Sequence, residues 1–154
     1  VQYWLFKTEP DAFSIDDLKN KPTQIEHWDG IRNYQARNFL RDQVKSGDLV
    51  FIYHSSCKNV GIVGVAEVVK EGYPDHTQFD PESKYYDPKS PPENPRWVMV
   101  DIKFKQKFSE ILSLKQIKAM DDIAEIGLVK KGHRLSIMPV QKQEFELLLL
   151  RCQG

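Results

Sequence analysis

Cysteine is scarce in this sequence. Two thiols, Cys57 and Cys152, stand far apart in 154 residues, which excludes a disulfide framework and fits a reducing compartment. A structural zinc site needs four closely spaced ligands. His54 and Cys57 are neighbours, but no second ligand pair follows, so no metal is expected. Long apolar runs are also missing, and none approaches the roughly 18 residues that cross a bilayer. Val1 to Lys7 has neither the charged start nor the apolar stretch of a secretion signal. The expected location is cytoplasmic, and nucleoid-associated if the source is bacterial.

Neither sign of charge predominates, since 22 basic residues balance 22 acidic ones. That excludes a protein that coats long nucleic acids by bulk charge, but leaves room for a local basic face. There is no Walker A loop, no dinucleotide glycine fingerprint and no nucleophile-elbow pattern. No cofactor and no catalytic residue is expected.

What is present suffices for a folded unit. Apolar residues make up 40% of the chain, and residues 1–154 read as a single domain. Tyr3 to Lys7 reads as a strand. Ser14 and Asp17 form a capping-box signal for a short helix. Glu26 to Gly30 reads as a loop ending in an Asp-Gly turn. Asn33 to Val44 has helical spacing. Leu49–Tyr53 and Gly61–Val69 read as a hairpin whose glycines, Gly61 and Gly64, suggest a bend or a close backbone approach. Gly72 to Pro95 holds six of the nine prolines and three tyrosines, and reads as a long, ordered, functional loop. Val98 to Lys105 alternates as a half-buried strand. Ser113 and Gln116 cap another helix. His133 to Met138 reads as a last strand, with Pro139 opening a C-terminal helix. This order predicts an α+β fold built on a curled sheet or small barrel.

Four segments carry chemistry. Trp28 to Asn38 sets a tryptophan and a glycine turn beside a helix start, with Arg32, Arg37 and Arg41 able to meet phosphate. Trp28 offers a stacking face for a base. The same segment also reads as a core tryptophan beside a solvated arginine face. Tyr53-His54-Ser55-Ser56-Cys57-Lys58 places polar groups at a strand end, as an ordinary hairpin loop also would. Tyr73 to Lys89 supplies tyrosines that build a lid or pin the loop. Lys130-Lys131-Gly132-His133-Arg134 forms a phosphate clamp or a solubilising tip.

Together these segments resemble the EVE domain family. The resemblance rests on Tyr3-Trp4-Leu5-Phe6-Lys7-Thr8-Glu9-Pro10, on Trp28-Asp29-Gly30-Ile31-Arg32-Asn33-Tyr34-Gln35-Ala36-Arg37-Asn38, and on Tyr53-His54-Ser55. Tyr85-Tyr86-Asp87-Pro88, Trp97-Val98 and Arg134-Leu135-Ser136 add to it. It implies a PUA-like fold, a curled mixed sheet or small pseudo-barrel surrounded by helices, and similarity to the YTH domain with its aromatic cage. Without a basic N-terminal extension, the chain looks like a stand-alone bacterial version.

The resemblance further implies a reader of one flipped, modified base in DNA or RNA, modified cytosine in DNA above all. The expected base pocket comprises Trp28, Gly30, Ile31, Asn33, Tyr53, His54, Ser55, Ser56, Tyr85, Trp97 and Pro139. The expected phosphate contacts are Arg32, Arg37, Arg41, Lys58, Lys131 and Arg134. Loss of the Trp28 ring is expected to abolish binding and leave the fold intact. Two competing readings are a small amidohydrolase using Lys7, Thr8, Glu9 and His54, and a module that contacts RNA or protein through a basic face.

Overall fold

A computed structural model of the chain describes residues 1–123, 126–129 and 135–153. The strands are β1 (Tyr3–Thr8), β2 (Ile25–His27), β3 (Leu49–His54), β4 (Gly61–Pro74), β5 (Val98–Ser113) and β6 (Ile137–Val140). The helices are α1 (Ile15–Asn20), α2 (Tyr34–Asp42), α3 (Leu114–Lys118) and α4 (Lys142–Gln153). A 3-10 turn at His76–Phe79 follows β4. No helix among the described residues is long and apolar enough to cross a membrane.

The strands form one mixed sheet in the order β2-β5-β4-β3-β1-β6. Only β1 and β3 run parallel; every other pair is antiparallel. Side chains alternate across a strand, and here both faces are covered. Trp4, Phe6, Val50 and Ile52 enter one core with Leu18, Ala36 and Leu40 of α1 and α2. Leu5, Phe51 and Tyr53 enter the other, with Ile117, Phe145 and Leu148 of α3 and α4. Two covered faces explain why β3 reads Leu-Val-Phe-Ile-Tyr without polar interruption. Phe145 stacks on Phe51 with centroids 4.0 Å apart and docks α4.

Local signals place the elements. Ser14 with Asp17, and Ser113 with Gln116, form complete capping boxes. Gly61 and Gly64 face β5, where a Cβ on Gly64 would lie 2.4 Å from the Gln106 carbonyl oxygen. The β4–β5 register shifts beside Gly64, and such irregularities bend and twist a long ribbon.

Several expectations are corrected. The segment expected to be a loop at Glu26–Gly30 begins with β2, which pairs Ile25–His27 against Lys103–Asp101 of β5. So short a polar strand has no period to detect; its partner defines it. β4 and β5 run on to Pro74 and Ser113, so the long loop starts later than the composition suggests. The last strand is Ile137–Val140, and Pro139 lies inside it, paired with Trp4. β6 is an edge strand, where a missing N–H is tolerated. Pro139 therefore does not open the final helix.

Asp48 ties the start of β1 to the turn before β3. It is 2% exposed and accepts hydrogen bonds from the Gln2 and Lys45 amides and the Trp4 indole, all at 2.9 Å. Asp48→Ala leaves three donors unmet and is expected to cost roughly 2–4 kcal/mol, measured as a lower urea midpoint with an unchanged slope.

Candidate functional site

The site is organised around Asp75, at the end of β4. Its side chain is fully buried. The carboxylate accepts from the Gly30 amide at 2.8 Å, from Arg32 Nη1 at 3.0 Å, and from the Thr77 amide and hydroxyl at 2.8 and 2.5 Å. Burial alone would raise its pKa. The hydrogen bonds from Thr77, Gly30 and Arg32, with the Arg32 charge, outweigh that and hold it below the usual carboxylate value.

Arg32 is equally committed. Its Nε and one Nη2 hydrogen point to the Tyr85 carbonyl at 3.0 and 2.8 Å. The remaining donors reach the Thr77 hydroxyl, the Ile31 carbonyl and Asp75, each at 3.0 Å. A guanidinium has five N–H donors, and all five are used. Arg32 pins the Tyr85 loop to the Gly30 turn and has no donor left for phosphate, contrary to the sequence expectation.

The loop beyond is ordered by a buried glutamine. Gln78 donates to the Asp75 and Trp97 carbonyls and accepts from the Ser90 hydroxyl and the Trp97 amide. The Trp97 indole N–H donates to Asp87 at 2.8 Å, and its ring stacks on exposed Tyr34 at 4.9 Å.

These contacts leave a cleft of about 650 Å³ at the carboxyl end of β1, within the usual range for small-ligand sites. Its walls are Lys7, Thr8 and Glu9; Ala12 and Phe13; Glu26 to Ile31; Lys84 and Tyr85; and Ser136. Gly30 has φ +79°, and a Cβ there would meet the Tyr85 ring at 2.6 Å. Only glycine allows the ring to close over the turn. Tyr85 is flanked by Arg32 at 5.5 Å and by Lys84 at 5.0 Å. Burial, then repulsion from Asp75, raises the Asp29 carboxyl, and burial lowers the Lys7 ammonium. The cleft thus joins aromatic surface to carboxylate acceptors and two cationic donors. A wider hollow of about 930 Å³ by α3 and α4 has no aromatic lining residue, so it offers no stacking surface.

Of the residues expected at a base, Trp28, Gly30, Ile31 and Tyr85 line this cleft. Trp28 is only 7% exposed and packs on Phe6 and Phe13 at 5.7 and 6.1 Å. Its removal would cost about 3–5 kcal/mol as a core deletion, so a loss of stability accompanies any loss of binding.

The other expected residues lie elsewhere. Asn33 caps α2 by accepting from the Ala36 amide. Tyr53 is in the second core, and burial pushes its phenol up to about 12. His54 Nε2 accepts from the Ile15 amide at 3.1 Å. The Ser55 amide bonds Thr8, Ser56 holds the hairpin turn with φ +53°, and Trp97 serves its loop. Arg37 donates to the Arg96 carbonyl, Arg41 pairs with Asp42, and Lys58 is exposed on the β3–β4 loop. Lys131 and Arg134 fall outside the described residues.

Sequence reasoning missed Phe13, Glu26, His27, Asp29, Lys84 and Ser136 as lining residues. It weighed Lys7, Thr8 and Glu9 only as hydrolase candidates. The end of a strand that must run parallel to another is the signal that could have placed them. Thr8 and His54 are register partners, but Thr8 donates to the Phe13 carbonyl and His54 is spent on α1. Lys7, Thr8 and Glu9 line the cleft, whereas His54 is not among its lining residues.

A curled mixed sheet with helices on both faces defines a PUA-like protein. Within that class the chain belongs to the EVE domain family, whose family model matches residues 2–150. It is 45% identical over 163 residues to thymocyte nuclear protein 1 of Gallus gallus, covering 96% of this chain and 67% of that protein. A solved Pseudomonas syringae protein superposes with TM-score 0.93 at 45% identity, over 97% of this chain and 99% of its own. The human THYN1 protein, solved in complex with 5-methylcytosine-containing DNA, superposes with TM-score 0.91 at 39% identity, over 100% and 99%.

Gly30→Ala is expected to lose more stability than Gly47→Ala. Both have positive φ, at +79° and +93°, but a Cβ on Gly47 meets nothing within 4 Å. The difference in urea unfolding free energy, on the order of 1–2 kcal/mol, measures the Tyr85 collision. For His54, burial lowers the pKa, so the unfolded chain binds the proton more readily. Its contribution is full above about pH 6.5, the free-histidine value, and is lost as pH falls through the depressed folded value. His54→Gln retains an acceptor for Ile15 and is expected to flatten that part of the stability–pH curve.

Proposed function

We propose that this protein is a DNA-binding reader of a modified base, that 5-methylcytosine is its ligand, and that it is not an enzyme. The observation that carries the reading is the composition of the cleft, in which Tyr85 and Trp28 stand beside Glu9, Glu26 and Asp29. Carboxylates accept from the exocyclic amine of cytosine, and flat rings stack on any base. The likeness to human THYN1, solved with 5-methylcytosine-containing DNA, supports the same ligand class.

The energetics favour a reader with one pocket. Extruding one nucleotide costs a few kcal/mol, and each aromatic contact returns roughly 1–3 kcal/mol. A buried methyl adds about 0.8 kcal/mol, or about fourfold in affinity. Closer fit around the ring must supply any further discrimination. Lys7 and Lys84 are the cations in the cleft wall. With Arg32 engaged internally, they take over its expected role beside the phosphates, together with exposed Arg41 and Lys58.

Fluorescence anisotropy with duplexes carrying one 5-methylcytosine, or unmodified cytosine at that position, tests the reading; an RNA strand with the same base tests the nucleic-acid class. Tighter binding of the methylated DNA is expected. Tyr85→Ala is expected to weaken it by about tenfold with an unchanged circular dichroism spectrum, since the hydrogen bonds that fix the loop go to the Tyr85 carbonyl, which alanine retains. Equal affinity for both duplexes would refute the reading.

A further inference from the structure

We propose that His27, Asp29 and His76 bind one divalent transition-metal ion of the zinc class at the rim of the cleft. His27 ends β2, Asp29 lies in the turn after it, and His76 begins the 3-10 turn after Asp75. One ligand atom from each residue lies within 4.8 Å of the others. His27 Nε2 and Asp29 Oδ2 are 3.5 Å apart. Two ligands of a tetrahedral ion with bonds of about 2.0–2.2 Å stand roughly 3.4 Å apart, so this pair is already at that spacing. The two imidazole centroids are 5.0 Å apart, at a steep interplanar angle of 76°. A small rotation of exposed His76 closes the set.

A second, independent feature points the same way. His27 Nδ1 faces Glu26 Oε1 at 3.3 Å. A carboxylate on that side of the imidazole is the usual outer arrangement at histidine-ligated ions; Glu26 Oε1 also accepts from the His27 amide at 3.0 Å, and Oε2 pairs with Lys21. Among the described residues, Asp29 forms no ion pair with Lys or Arg, and neighbouring Asp75 is held by Arg32. Two imidazoles with one carboxylate select zinc, copper or nickel over magnesium or calcium. Three protein ligands leave a fourth position open. No metal is expected from the sequence because the third ligand, His76, joins His27 and Asp29 only through the fold. The proposal does not rest on the base-reading function, although Glu26, His27 and Asp29 also line the cleft.

The test is isothermal titration of untagged, chelator-stripped protein with zinc chloride, with visible absorption of the cobalt-loaded protein as a second readout. One saturable ion per chain is expected. His76→Ala, at an exposed position, is expected to abolish that binding and the cobalt spectrum while leaving thermal unfolding of the metal-free protein unchanged. Glu26→Gln is expected to weaken binding about tenfold to a hundredfold. No saturable binding by the wild type, or binding undiminished in His76→Ala, would overturn the proposal.

Discussion

A carboxylate taken out of water is costly unless its oxygens are met by donors. Asp75 satisfies that demand by drawing distant parts of the chain together: the Gly30 amide, the Arg32 guanidinium, and the amide and hydroxyl of Thr77. Arg32 then extends the network to the Tyr85 carbonyl. Removing one partner of such a buried pair leaves the other charge stranded, at about 3–5 kcal/mol. Through this pair the loop is held so that Tyr85 forms a wall of the cleft.

The sheet decides where the clamp can form. β1 and β3 are parallel, and parallel neighbours require a crossover. That crossover carries α1, β2, the Trp28–Arg32 turn and α2. It starts at the carboxyl end of β1, beside Lys7, Thr8 and Glu9. The β4–β5 ribbon, bent where Gly64 meets the Gln106 carbonyl, brings the other wall into place. The cleft therefore lies where the crossover and the long loop meet, with its acidic groups supplied by β1, β2 and the turn.

What could be read from the sequence was local. Both capping boxes, the β3–β4 hairpin and the glycine approach to β5 are short-range or steric features. The roles of the polar residues depended on partners far along the chain. Arg32 reads as a phosphate contact until Asp75 and Tyr85 are placed around it. His54 reads as a base contact until the Ile15 amide is seen to occupy it. Asn33 reads as a base contact, but its oxygen is spent as the cap. β2 was invisible because three residues show no periodicity. Pro139 was misplaced because proline suits both a helix start and an edge strand.

In the proposed function, the Asp75–Arg32 clamp shapes a cleft for one methylated cytosine removed from the duplex. A crystal structure of the protein with a short duplex carrying a single 5-methylcytosine tests this most directly. The modified ring is expected in the cleft against Tyr85, with its exocyclic amine on the carboxylates of Glu9, Glu26 or Asp29 and the clamp unchanged. A complex in which that base stays stacked in the duplex, with the cleft empty, would contradict it.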